Sequence, residues 1–174
     1  GIGFYVKGDY KSALKLFNEG LVIYERIQHK EYIATTLNKI GNIYKNTGEY
    51  SMALDFYNRS LEILTKEGLK SGMSTALNNI GSVYMYQGDF PLALDYYLKS
   101  LLLAQEVGNK KNIGNAVGNI GIVYKNMGDL DKANEYYLMG LKIQEEIGDK
   151  KGYATSLNNI GANYKIQGDW DKAL

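Results

Sequence analysis

The side chains that could support catalysis or hold a metal ion are few in this sequence, and they stand apart from one another. His29 is the single histidine and the chain has no cysteine, so neither a transition-metal site nor a Ser-His-acid arrangement can be completed around it. The carboxylate pairs Glu145-Glu146 and Asp129 with Asp131 fall at a predicted helix end and a predicted helix start, where solvation and the helix dipole explain them. We therefore predict no catalytic residue, no metal and no cofactor.

Phosphate, nucleic-acid and membrane binding are disfavoured as well. The glycines between Gly1 and Gly8 match neither the dinucleotide fingerprint nor the P-loop, because no Gly-Lys-Ser/Thr follows. The formal net charge is +1 and the arginines are Arg26 and Arg59 alone, which does not fit a nucleic-acid binder. The longest apolar run, 101–104, is far shorter than the ~20 residues that span a bilayer. We predict no nucleic-acid partner and no membrane insertion.

Glycine recurs at a fixed interval along the chain. Gly8, Gly48, Gly88, Gly128 and Gly168 are 40 residues apart, and an acidic residue follows each of them. Repetition at such a period indicates stacked supersecondary units. Within each unit the apolar residues recur every three or four positions, which is the period of a helix and not of a strand. The sequence therefore predicts an all-α fold, an α-solenoid of stacked antiparallel helix pairs.

The boundaries of the helices follow from the same glycines. Each Gly-acid step predicts a left-handed glycine that ends one helix and an N-cap that begins the next. In the first unit Gln28-His29 replaces the later Gly68, so we expect a less sharp junction there. Eight full helices are predicted, roughly over 9–28, 30–47, 50–67, 70–87, 90–107, 110–127, 130–147 and 150–167.

The whole chain is predicted to be one array of repeats. Full repeats occupy 30–69, 70–109 and 110–149, and partial repeats occupy 1–29 and 150–174. Because both ends fall within a predicted helix pair, we expect the sequence to be a segment of a longer array.

The residues of one unit resemble the tetratricopeptide repeat. The resemblance is carried, in order, by Leu37, Ile40-Gly41, Tyr44, Gly48, Ala53, Tyr57 and Ser60. It covers the whole chain, and it implies a right-handed superhelix. Two features depart from the family pattern: the period is 40 instead of ~34, and the usual proline after the second helix is missing.

The longer repeat is similar to those of bacterial Rap-type regulators, Pins-type polarity adaptors and the sensor regions of some bacterial kinases and transcription regulators. This resemblance implies a non-catalytic scaffold that binds a protein or peptide as a sensor or adaptor module in signalling. It also places ligands on the concave surface, which the first helix of each pair lines.

The candidate peptide-binding residues lie on the arc of each first helix that packing leaves free. They are Asn38, Asn42, Lys45, Asn46, Asn78, Met85, Tyr86, Asn115, Ile122, Lys125, Asn126, Asn158 and Lys165. Lysines and amides with almost no acid favour an extended, acidic peptide. The alternative is that these polar residues only solvate an exposed surface. A second asparagine column, Asn79, Asn119 and Asn159, is predicted to form hydrogen bonds between repeats.

The outward arc of the second helices carries an apolar group in the third and fourth units. Its members are Leu98, Leu102, Leu138 and Met139. Scattered hydrophobic residues are normal on a protein surface. The alternative is a contact surface for another domain or for a second copy of the chain. A structural segment that associates with itself through this patch or through its ends is therefore the second function we consider.

Overall fold

The computed structural model describes residues 1–173, and within that range every regular element is an α-helix. The elements are α1 (Ile2–Val6), α2 (Tyr10–Arg26), α3 (Lys30–Asn46), α4 (Tyr50–Lys66), α5 (Lys70–Gln87), α6 (Phe90–Glu106), α7 (Lys110–Asn126), α8 (Leu130–Glu146), α9 (Lys150–Gln167) and α10 (Trp170–Ala173). The predicted all-α fold and the eight predicted helices, α2 to α9, are confirmed. Leu174, the last residue of the final predicted repeat, lies outside the described residues.

The turns between helices have the predicted geometry. Gly8, Gly48, Gly88 and their counterparts adopt φ values between +66° and +86°, a region that side chains with a Cβ rarely occupy. The carboxylate of Asp89 then accepts a hydrogen bond from the Leu92 amide at 3.1 Å and caps α6. Asp9, Asp129 and Asp149 cap α2, α8 and α9 in the same way. At these four junctions a glycine and a short acid therefore make the tight turn, whereas Glu49 and Leu69 begin α4 and α5 without a side-chain cap.

The first full junction keeps this geometry without glycine, so the prediction of a less sharp turn is wrong. Gln28 itself adopts the left-handed conformation at φ +53°. The His29 amide still donates to the Tyr24 carbonyl at 3.0 Å, and the His29 Nδ1 accepts from the Tyr32 amide at 3.4 Å. Because the helices on both sides dictate these hydrogen bonds, the backbone tolerates the strain at Gln28. His29 is an exposed helix cap.

Each helix pair packs an aromatic ring against a glycine. A Cβ built on Gly41 would lie 2.6 Å from Cε1 of Tyr57, and Gly121 would approach Tyr137 equally closely at 2.5 Å. Tyr57 is completely buried, as is Ala53 on the same helix. The small residues of the repeat therefore lie where the two helices approach most closely.

A buried polar contact joins α8 to α9, between two successive helix pairs. Asn163 is completely buried and donates to Asn134 Oδ1 at 2.9 Å, whereas its own Oδ1 has no partner among residues 1–173. The other repeats place apolar residues here, such as Leu94 and Val123. A buried polar atom without a hydrogen bond costs stability.

Replacing this pair with apolar residues should therefore stabilise the protein. We expect the double variant Asn134→Leu, Asn163→Val to raise the free energy of unfolding by about 1–2 kcal/mol, since it removes an unsatisfied buried oxygen and both desolvated amides. Urea unfolding followed by circular dichroism measures the change. The single variant Asn163→Val is the control and should gain less, because it leaves Asn134 without its donor. A double variant less stable than the parent protein would contradict this prediction.

Candidate functional site

The first helices of successive pairs form one surface. Helix α3 packs against α5 and α5 packs against α7, in addition to the contacts each makes with its partner in the pair. We call the exposed side of α3, α5, α7 and α9 the inner face. The candidate peptide-binding residues predicted from the sequence belong to these four helices. Regular stacking therefore aligns residues that are 40 positions apart in the chain.

Three lysines lie on this inner face without an acidic partner. Lys45 and Lys125 are half-buried and Lys165 is exposed, and none of them forms an ion pair with a residue between 1 and 173. The ammonium group of Lys45 lies 5.8 Å from the centre of the Tyr86 ring. Burial lowers the pKa of Lys45 from its usual value. The inner face thus presents positive charge that a carboxylate of a ligand could neutralise.

Asn38 does not belong to the accessible part of this surface, so the prediction that it lies on the free arc is wrong. Its side chain is buried, and its Nδ2 donates to Ser60 Oγ at 2.6 Å and to the Ala34 carbonyl at 3.4 Å. Its Oδ1 accepts from Asn79 at 3.4 Å. The facing serine on α4 draws the amide inward, so Asn38 connects three helices.

Three other predicted amides are partly used within the protein. Asn42 Oδ1 accepts from the Tyr57 hydroxyl at 2.7 Å. Asn46 donates to the Tyr5 hydroxyl at 2.9 Å, and Asn126 donates to a carbonyl of its own helix at 2.7 Å. The other polar atom of each of these amides has no hydrogen-bond partner among residues 1–173. Their capacity to bind a ligand is therefore smaller than the sequence suggested.

Asn115 and Asn158 are the amides that remain open. Both are exposed, and neither forms a side-chain hydrogen bond with any residue that the structure describes. Asn78 is half-buried, and its Oδ1 accepts from Asn119 at 3.0 Å. The strongest candidates for contact with a ligand on α7 and α9 are therefore Asn115, Asn158 and Lys125.

The three apolar residues among the candidates, Met85, Tyr86 and Ile122, differ in their exposure. Met85 is half-buried and packs on the core between the α5–α6 pair and the α7–α8 pair, so it supports packing. Tyr86 is 66% exposed and stacks on Tyr50 with the ring centres 6.2 Å apart. Ile122 is partly exposed on α7. Tyr86 and Ile122 are thus the apolar groups that a ligand could reach.

The predicted hydrogen bonds between repeats are present at two of three positions. Asn79 donates to Asn38 on α3 at 3.4 Å, and Asn119 donates to Asn78 at 3.0 Å. Asn159 has no such partner among residues 1–173, because Gly118 occupies the position where an asparagine would accept. Gly118 was not recognised from the sequence as the gap in this series. The register of 41 residues between donor and acceptor is the signal that identifies it.

The second helices expose the apolar group predicted for them. Leu98, Leu102, Leu138 and Met139 are between 40% and 66% exposed. An ion pair of 2.6 Å between Lys99 and Asp95 lies beside Leu98 and Leu102 on α6. Charged residues therefore interrupt the apolar surface on this helix.

Metal and membrane sites are not found in the described part of the chain. Among residues 1–173, no group of histidine, cysteine, aspartate and glutamate side chains is arranged to hold a metal ion. None of the helices in that range has both the length and the apolar character needed to cross a membrane.

The stacked helix pairs and their glycine-aromatic contacts define a class of helical repeat protein. The tetratricopeptide repeat model matches residues 2–66, 72–146 and 112–174. The chain therefore belongs to the tetratricopeptide repeat family, whose members are typically non-catalytic scaffolds that bind proteins. None of the curated proteins matches the sequence significantly.

Several solved structures share this fold. BtubC (BKLC) from P. vanneervenii is 23% identical, with a TM-score of 0.82 over 98% of this chain and 71% of that one. The apo form of RapI is 18% identical, with a TM-score of 0.82 over 99% of this chain and 48% of its own. A Rap protein complexed with competence and sporulation factor is 19% identical, with the same TM-score and coverage. This chain spans about half of the length of the two Rap proteins, and identities this low show similarity of fold alone.

Proposed function

We propose that this chain is a non-catalytic scaffold that binds an extended peptide segment of a partner protein along its inner face, as the sensor or adaptor module of a signalling or regulatory protein. The observation that carries the proposal is the row of lysines on α3, α7 and α9. They have no acidic partner among residues 1–173, and they stand among amides that are not fully used. A peptide backbone offers both donors and acceptors to side-chain amides, and carboxylates along it would neutralise the lysines. The favoured ligand is an acidic peptide.

The family and its structural neighbours support this proposal. Tetratricopeptide repeats present an extended inner surface because each repeat contacts only its neighbours. A Rap protein of the same fold was solved with competence and sporulation factor bound. The apolar group on the second helices supports self-association less strongly, because the Lys99–Asp95 ion pair interrupts it and exposed leucines are common on protein surfaces.

Reversing one charge on the inner face should weaken peptide binding. We expect Lys125→Glu to reduce the affinity for peptides selected by a display screen about fivefold or more, because a half-buried lysine is replaced by a carboxylate that repels an acidic ligand. Asn158→Ala should weaken binding less, since it removes one open amide. Fluorescence anisotropy with labelled peptides, repeated at low and high salt, measures both effects, and the affinity should fall as salt rises.

The control variant is Lys142→Glu, which makes the same charge change on an exposed residue of α8. It should leave the affinity within about twofold, because salt screens a charge on the opposite side of the array. Selection of basic peptides, or equal losses in the Lys125 and Lys142 variants, would overturn the inner-face proposal.

A further inference from the structure

A cleft opens between α7 and α9, which we call the third junction. The contact between α5 and α7, which we call the second junction, has a much smaller one. The cleft at the third junction has a volume of about 290 Å³, and its lining includes Gly118, Ile122, Tyr137 and Asn159. The corresponding cleft between α5 and α7 has about 70 Å³. Helices α5 and α7 pack directly against each other, whereas α7 and α9 have little direct contact. The α7–α9 junction is therefore more open than the α5–α7 junction.

The difference arises from the side chains at equivalent positions of the two junctions. Gly114, Gly118, Gly140 and Gly152 replace Ser74, Asn78, Ser100 and Asn112. At the second junction these polar side chains bond to one another and to the backbone, including Ser74 to Ser100 at 3.1 Å. At the third junction the Gln144 side chain, 2.9 Å from Ser156, fills only the deep end. Of the four glycines, only Gly118 faces open space, because a Cβ on each of the other three would meet a neighbouring side chain within 4 Å.

Packing does not require glycine at position 118. A Cβ built there meets no atom within 4 Å, in contrast to Gly121 one turn later, which lies against a tyrosine ring. Its position in the interior of α7 makes the glycine unfavourable for the helix. Gly118 thus lowers the stability of the helix. It leaves open space beside α7, and the Asn159 side-chain amide has no hydrogen-bond partner among residues 1–173.

A second polar group at the cleft also has no partner. Tyr137 is 1% exposed, and its buried hydroxyl has no hydrogen bond within the described residues. The equivalent hydroxyls bond to Asn42 at 2.7 Å and to Ser82 at 3.2 Å, but the pair of α7 and α8 has Ile122 in that position. Buried polar side chains in folded proteins are normally hydrogen bonded. The cleft therefore combines two unsatisfied polar groups with one apolar wall.

We propose that this cleft binds the side chain of an asparagine or glutamine in the peptide ligand, and this inference rests on the proposed function above. The carboxamide would take the place of the asparagine that is absent at position 118 and pair with Asn159. The same kind of contact exists within the protein, where the Asn119 amide donates to the Asn78 amide at 3.0 Å. Ile122 would pack on the aliphatic part of the side chain. A carboxamide matches both the donor and the acceptor of Asn159, which a carboxylate or an ammonium group cannot do.

A single substitution tests the cleft directly. Gly118→Asn restores the side chain that the second junction has, so it should fill the cleft, pair with Asn159 and raise the melting temperature by about 2 °C or more. The same change should lower the affinity for selected peptides at least tenfold. A structural role for the glycine predicts the opposite change in melting temperature. The matched control is Gly20→Asn, in the interior of α2, where a Cβ meets only the Tyr24 ring at 3.6 Å and peptide affinity should not change.

A small probe tests the chemistry without a selected peptide. N-acetyl-asparagine methylamide should shift the Asn159 side-chain amide and the Gly118 backbone amide in a two-dimensional nitrogen-proton NMR titration, and N-acetyl-alanine methylamide should not. The shifts should disappear in Gly118→Asn. Equal shifts with both probes, or shifts that persist in the variant, would overturn the carboxamide assignment.

The outcomes separate this inference from the proposed function. Peptides that bind and respond to Lys125→Glu, but not to Gly118→Asn, would support an inner-face scaffold and overturn the carboxamide cleft. A probe that binds the cleft while no peptide is selected would leave the cleft as a carboxamide site and overturn the peptide scaffold.

Discussion

Truncating Tyr57 to alanine should lower the free energy of unfolding by about 3–5 kcal/mol. The ring is completely buried between α3 and α4, and it rests on the Cα of Gly41, where an added Cβ would lie 2.6 Å away. Neighbouring side chains cannot collapse into the vacated space without separating the two helices. The substitution therefore loses the transfer free energy of the ring and leaves a cavity. Urea unfolding followed by circular dichroism measures the loss.

Conservative variants separate the ring from its hydroxyl. Tyr57→Phe keeps the packing and removes the 2.7 Å hydrogen bond to Asn42, so it should cost about 0.5–1.5 kcal/mol. Tyr137→Phe removes a buried hydroxyl that has no partner among residues 1–173, and it should be neutral or stabilising. A loss below about 1 kcal/mol in Tyr57→Ala would show that the contact between the ring and Gly41 is not a main source of stability.

The fold was predictable because the residues that pack the two helices of a pair recur in every full repeat. Gly41 and Tyr57 recur 40 residues later, so a chance pattern was excluded and the helices could be placed to within two residues. The turns followed from the same glycines. The exception, Gln28, could not be foreseen, since the local sequence does not report the hydrogen bonds that hold it at φ +53°.

The site was less predictable, because its features depend on contacts between helices. The angular position of Asn38 on α3 lies at the edge of the inner face, and only the position of Ser60 on the facing helix decides that it is buried. The pair of Asn134 and Asn163 was likewise hidden by a separation of 29 residues. The sequence has 20 glycines, and Gly118 is distinguished from the others only when the 41-residue register of the asparagine hydrogen bonds is known. Sequence periodicity thus identifies the helices, and the structure identifies which side chains remain free.

Alkaline pH should destabilise the protein through its buried tyrosines. Burial raises the pKa of Tyr97 and of Tyr137 to about 12, and it raises the pKa of Tyr57 further. In the unfolded chain the pKa of tyrosine is about 10. Below pH 10 these hydroxyls are protonated in both states, so their contribution to stability is fully present and does not change with pH. Above pH 10 the unfolded state loses protons that the folded state retains.

The stability should therefore fall as pH rises from 10 through 12, by about 1.4 kcal/mol per pH unit for each buried tyrosine. The variant Tyr57→Phe, Tyr97→Phe, Tyr137→Phe should have a shallower slope, because phenylalanine cannot ionise in the unfolded chain. Urea unfolding at several pH values measures the slope, and the ultraviolet absorbance of tyrosinate shows whether three groups titrate only as the protein unfolds. An equal slope in the triple variant would mean that other groups cause the alkaline unfolding and that the three rings are not protected from ionisation by burial.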